Sequence, residues 1–171
     1  MRIAVLSDIH DNVWKLDAAL PRLAGCELMV CCGDLCSPFV IDQLARGFAS
    51  PIHIVWGNND ADTWRMTAKA PKYPNIRIRG EFFEEEWGGR KIAVNHFDNI
   101  ARAIAAAQAH DAVFFGHNHV YENRLSGKTL LLNPGSILGA QFDAEARRTD
   151  VTSTCALYDT ETNAAVRIDV T

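Results

Sequence analysis

The chain has 171 residues, 48% of them apolar, with 17 Lys and Arg against 21 Asp and Glu for a net charge of −4. That length predicts one domain over residues 1–171, and the apolar share excludes a disordered chain. The acidic balance argues against binding duplex nucleic acid, since a basic face is needed and no basic cluster exceeds Arg147-Arg148. No apolar run approaches the ~20 residues that cross a bilayer. Met1-Arg2 leads straight into a strand with no secretory h-region. Five cysteines (Cys26, Cys31, Cys32, Cys36 and Cys155) are an odd set, two of them adjacent on an apolar run. Buried thiols in a reducing, cytoplasmic setting are therefore expected, not a disulfide framework or a structural zinc site.

Ile3 to Leu6 is a short apolar run of the kind found in central parallel strands. Asp8-Ile9-His10 follows its end. Asn12 is placed to cap a helix whose apolar face is Val13, Leu16, Leu20 and Leu23, with Pro21 ending or kinking it. Leu28 to Cys32 is a second buried strand, ending at Gly33-Asp34. Ser37-Pro38 starts a helix with Val40, Ile41, Leu44 and Phe48 inward. Ile52 to Trp56 is a third strand, ending at Gly57-Asn58-Asn59-Asp60. These alternations predict a parallel sheet with right-handed crossovers. The second half shortens: strands at Ile76–Arg79, Phe82–Trp87 and Arg90–Asn95, the latter two joined at Gly88-Gly89, then His96. An alanine-rich helix over Ile100–Gln108 precedes a strand over Ala112–Phe115 and the motif Gly116-His117-Asn118-His119. Hairpins are expected at Val120–Leu132 and Thr152–Val170. The segment from Ile137 to Asp150 has no period. The fold class is α/β, with either one mixed sheet or two stacked mixed sheets covered by helices.

Four of the six histidines, with Asp8, Asp34 and Asn58, sit just after apolar strands. Ligands of open αβ sheets gather at that end. Mixed imidazole and carboxylate donors suit Mn²⁺, Fe²⁺ or Zn²⁺ and suit Ca²⁺ poorly. Seven donors (Asp8, His10, Asp34, Asn58, His96, His117 and His119) exceed the needs of one first-row ion. They suit two ions that share a carboxylate.

Asp8-x-His10, Gly33-Asp34, Gly57-Asn58, His96 and Gly116-His117-x-His119, in this order, resemble the motif set of the calcineurin-like metallophosphoesterases. Asn133-Pro134-Gly135-Ser136 resembles a loop of the small bacterial and archaeal phosphodiesterase branch. The resemblance implies two stacked mixed sheets flanked by helices. It implies that Asp8, His10 and His119 hold one ion, that Asn58, His96 and His117 hold a second, and that Asp34 bridges them. Manganese is the first expectation, with iron, nickel or zinc accepted by the same donors. The implied reaction is phosphoester hydrolysis, a phosphodiester before a monoester, by a hydroxide shared between two ions about 3.5–4 Å apart. Asp34, Asn58, Asn59 and His96 are then the catalytic positions, and a small phosphoester is the partner. No membrane or duplex nucleic acid is expected, and a homo-oligomer is left open.

Three departures from the family pattern stand out. Asn59 occupies a place where many members carry histidine, and an amide cannot deliver a proton. Asp60 is the candidate substitute acid, against the plainer reading that Asp60 and Asp98 are loop acids or partners that orient an imidazole. Phe97 follows His96 where glycine is usual, either packing inward or offering a stacking face, and Asp11 stands at another common glycine. His53 and His110 read as structural, and Trp14, Trp56, Trp64 and Trp87 as core or half-buried. The alternative function is a scaffold of the same fold that docks partners without catalysis.

Overall fold

In the computed structural model, which describes residues 1–171, the chain forms four layers. The first sheet holds β1 (Arg2–Leu6), β2 (Leu28–Cys31), β3 (Ile52–Ile54), β4 (Ile76–Ile78), β12 (Ser153–Asp159) and β13 (Ala164–Val170), in the order β13-β12-β1-β2-β3-β4. The second holds β5 (Phe82–Trp87), β6 (Arg90–Asn95), β7 (Ala112–Phe114), β8 (Glu122–Ser126) and β9 (Thr129–Asn133), in the order β5-β6-β7-β9-β8. β1 to β4 are mutually parallel, as are β6, β7 and β9, while the flanking pairs are antiparallel.

Strand alternation explains the layering. Ile3 and Val5 point from β1 into the space between the sheets, where they join Val30, Val94, Phe114 and Leu132. Ala4 and Leu6 point the other way, onto Leu16 of α1 (Val13–Ala19), Ile41 and Leu44 of α2 (Pro38–Gly47) and Met66 of α3 (Thr63–Lys69). On the far face of the second sheet, Ala93, Val113 and Leu131 receive Ala101 and Ala105 of α4 (Asp98–Ala106). Strands covered on both faces read as unbroken apolar runs, which is how β1, β2 and β7 are written. The two-sheet alternative is therefore the one adopted.

Local signals acted as expected at several joints. Asn12 caps α1 by accepting the Lys15 N–H, and Pro21 converts the next turn to a 3₁₀ helix over Leu20–Leu23. Other expectations need correction. α3 was not foreseen; Asp62 caps it by accepting the Arg65 N–H. α4 begins at Asp98, two residues early. The segment after Ile137 contains a two-stranded ribbon, β10 (Ala140–Phe142) with β11 (Arg148–Asp150), whose largely exposed residues carry no burial pattern. Trp14 and Trp64 are 79% and 78% exposed, not buried. They and Phe39, 48% exposed, each take the second position of α1, α3 and α2. No helix is long and apolar enough to cross a membrane.

Candidate metal centre

The loops after β1, β2, β3, β6 and β7 meet at one rim, because both sheets present the C-terminal ends of their parallel strands there. All seven anticipated donors lie on these loops. Asp34 Oδ2 stands 3.4 Å from His10 Nε2 and 3.5 Å from His96 Nε2. On one side, His10 Nε2 is 3.1 Å from His119 Nε2, which is 3.2 Å from Asp8 Oδ1. On the other, Asn58 Oδ1 is approached by His96 Nε2 at 3.1 Å and His117 Nδ1 at 2.9 Å. Asp8, His10 and His119 form one compact donor group, and Asp8, Asp34 and His96 form another. Asp8, Asp34, His96 and His119 are buried, whereas Asn58 and His117 are exposed, so the crevice opens on that side.

The imidazoles are oriented from behind. His96 Nδ1 donates to the Cys32 carbonyl at 2.7 Å, and His119 Nδ1 donates to the Ala140 carbonyl at 2.6 Å. Each Nε2 is thereby left to face the crevice, the arrangement that fixes tautomers at metal sites. His10 Nδ1 meets Cys36 Sγ at 3.6 Å. The Asn133-Pro134-Gly135-Ser136 loop holds the frame: Ser136 Oγ donates to the Asp8 carbonyl, and Asn133 Nδ2 donates to the Gly116 carbonyl.

The backbone is unusual here. Asp8, His10, Asp34, His117 and His119, five of the seven donors, have φ between 45° and 75°. Non-glycine residues in that region cost of order 1–3 kcal/mol each and gather at functional sites. Asp11, at φ 58°, keeps the turn where a glycine was anticipated. Gly57 is needed for a different reason: a Cβ there would collide with the Asp34 carboxylate and backbone.

Charge reinforces the geometry. Burial alone would raise the Asp8 pKa, but the His10 and His119 imidazoles and the His96 charge reverse this and hold it well below the usual range. Burial likewise pushes Asp34 up, and His96 and Asn59 pull it down further. Burial would lower His96 and His119, but facing carboxylates, Asp34 for His96 and Asp8 for His119, raise both. Both carboxylates are thereby favoured as anions, the form that receives a cation.

A divalent metal fits this donor set on an independent observation. Asp8 Oδ1 is buried without a hydrogen bond, although His119 Nε2 lies 3.2 Å away and His10 Nε2 lies 3.8 Å away. Closeness without alignment is expected of donors aimed at a common third point, and an unpaired buried carboxylate oxygen is costly otherwise.

Three neighbours bear on the departures from the family pattern. Asp60 is not a free acid. Its Oδ2 accepts N–H groups from Asp34 and Gly57, and its Oδ1 accepts those of Leu35 and Cys36, all within 3.0 Å. Burial raises its pKa and these donors oppose the rise. A carboxylate receiving four N–H groups has no place for a proton. Asn59 turns onto the bridging candidate, donating its backbone N–H and Nδ2 to Asp34 at 2.8 Å each. Phe97 is half-buried, its ring edge-on to His96 and tilted against His117, each at 5.1 Å between centroids. Arg147 is spent on Asp143 and Glu145, and Arg148 on Asp150. His53 packs between Phe83 and Trp87, and His110 pairs with Glu84, so both are structural.

The calcineurin-like phosphoesterase superfamily domain matches residues 1–163. An archaeal phosphodiesterase superposes with a TM-score of 0.85 at 23% identity over 99% of both chains. Vps29 from Entamoeba histolytica, complexed with zinc, superposes at 0.66 with 21% identity over 100% of both. Yfce, a phosphoesterase from E. coli, does so at 0.64 with 15% identity over 100% of both. At such identities the likeness is one of fold. No curated protein matches the chain. With the motif order and the domain match in agreement, the chain belongs to the calcineurin-like phosphoesterase superfamily.

Proposed function

We propose that the chain is a dinuclear metal-dependent phosphodiesterase acting on small phosphoesters. The observation that carries this reading is Asp34, whose Oδ2 stands between His10 and His96 and so joins two donor groups. Asp8, His10, His119 and Asp34 would hold one divalent ion, and Asp34, Asn58, His96 and His117 a second. Such a pair supplies an acidified water and a polarised phosphoryl oxygen. The chain's own residues do the rest. The Cys32 and Ala140 carbonyls hold the His96 and His119 rings so that the protons lost on ion capture leave from Nε2. Asn59 supports Asp34 through two hydrogen bonds and offers no proton to a departing alkoxide. With Asp60 fully engaged, that proton comes from water, which favours esters with good leaving groups.

The test is to strip the protein with chelator and restore Mn²⁺, Fe²⁺, Ni²⁺ or Zn²⁺ singly. Hydrolysis of bis(p-nitrophenyl) phosphate should exceed that of the monoester. Restored ion at 1,000 times its Kd should add about 4 kcal/mol of stability, read as a rise in Tm. Asp34→Asn should cut turnover at least about a hundredfold and halve the bound metal, because a neutral amide bridges two cations poorly. A second reading, a partner-docking scaffold, draws support from the exposed Trp14 and Trp64, since exposed tryptophans are enriched at binding surfaces. Turnover absent with every ion would decide for it.

A further inference from the structure

A cavity of about 370 Å³ opens over His117 and His119, with Asp98, Asn118 and Phe142 as its other walls. Phe142 is 53% exposed and belongs to none of the three apolar cores. Its ring stands nearly perpendicular to that of His119, with centroids 6.2 Å apart. The short strand that carries it also supplies the Ala140 carbonyl that orients His119. Placement of the ring is therefore tied to placement of the donor. The ribbon tip is braced by its own contacts, with Arg147 donating to Asp143 through backbone and side chain, so the ring does not serve to fold it.

The polar walls are complementary to a particular kind of group. The Asp98 carboxylate is only loosely paired, with Arg102 Nε at 3.9 Å, because the Arg102 fork is committed to Glu122. The Asn118 oxygen already accepts the Val120 N–H and Asn133 Nδ2, which leaves its own amide N–H groups to donate. The cavity thus combines an exposed aromatic ring, an acceptor and a donor. A second negative charge on the phosphate would also be repelled by Asp98.

Resting on the phosphodiesterase reading, we infer that this cavity binds a nucleoside as the non-leaving ester group, with its base stacked on Phe142. Base–aromatic stacking is worth about 1–3 kcal/mol by alanine substitution, or roughly 5- to 150-fold. Two substrates with the same leaving group separate recognition from chemistry: thymidine 5′-(p-nitrophenyl phosphate) and methyl p-nitrophenyl phosphate. The metal-loaded wild type should prefer the thymidine ester in kcat/KM by about tenfold or more. Phe142→Ala should lower that ratio at least about fivefold, and Phe142→Trp, which keeps a ring face, should retain it. A wild-type ratio near one overturns the assignment. So does a ratio that Phe142→Ala leaves intact while both esters are still cleaved. Turnover of neither ester by the wild type overturns the hydrolase reading, and the assignment falls with it.

Discussion

Replacing Asp60 by asparagine tests how the crevice is held open. The carboxylate gathers four backbone N–H groups from two loops, at 2.7 to 3.0 Å, and it is 8% exposed. Asparagine keeps one oxygen and sets an amide N–H₂ against the remaining two donors. Two hydrogen bonds to a charged acceptor are lost, at about 1.5–3 kcal/mol each, so the expected loss is about 3–6 kcal/mol. With a urea dependence of about 2 kcal/mol per M, the midpoint should fall by about 1.5–3 M. The measurement is urea unfolding of chelator-stripped protein, followed by fluorescence. A midpoint shift below about 0.5 M would refute the claim that Asp60 is a structural clamp and would restore it as a candidate acid.

Asn59→His tests the missing proton donor: cleavage of an alkyl phosphodiester should rise at least about tenfold, a fraction of the 10²–10⁴ that a well-placed general acid supplies, while a nitrophenyl diester should change little. No rise would mean that leaving-group protonation does not limit the reaction. His53, on β3 and outside the donor set, gives a pH signature of its own. Burial, followed by the Arg79 charge, pushes its pKa down to about 4. Between that value and about 6.5 the unfolded chain binds a proton that the folded chain refuses, so stability falls as pH drops through this window, by about 1 kcal/mol once solvent screening of the half-buried ring is counted. His53→Gln should flatten the urea midpoint between pH 6.5 and pH 4 relative to wild type, and parallel curves would contradict the assignment.

The rim was legible because two physical signals coincide in the chain. Apolar runs buried on both faces stop at polar residues, and those residues are metal-ligating types in a fixed order. Asp8, Asp34, His96 and His119 could be found that way without coordinates. Asp60 could not, since its role depends on four backbone N–H groups converging from separate loops, which no side-chain pattern records. The ribbon that bears Phe142 was illegible for the opposite reason: β11 is exposed throughout, so hydropathy does not alternate. Trp14 and Trp64 misled because composition assigns large rings to the interior, whereas their position at the outer start of α1 and α3 leaves them in water. α3 was missed because Met66 is its one buried residue, so no apolar face repeats along it, although Asp62 announces its start.

The left-handed backbone at Asp8, His10, Asp34, His117 and His119 has an evolutionary consequence. Glycine at any of the five would relax the main chain and delete a donor in the same stroke. Mutational drift toward greater robustness is thus drift toward losing the ions, and only a continuing demand for them keeps the crevice furnished. Descendants released from that demand would gain tolerance by emptying the rim one residue at a time.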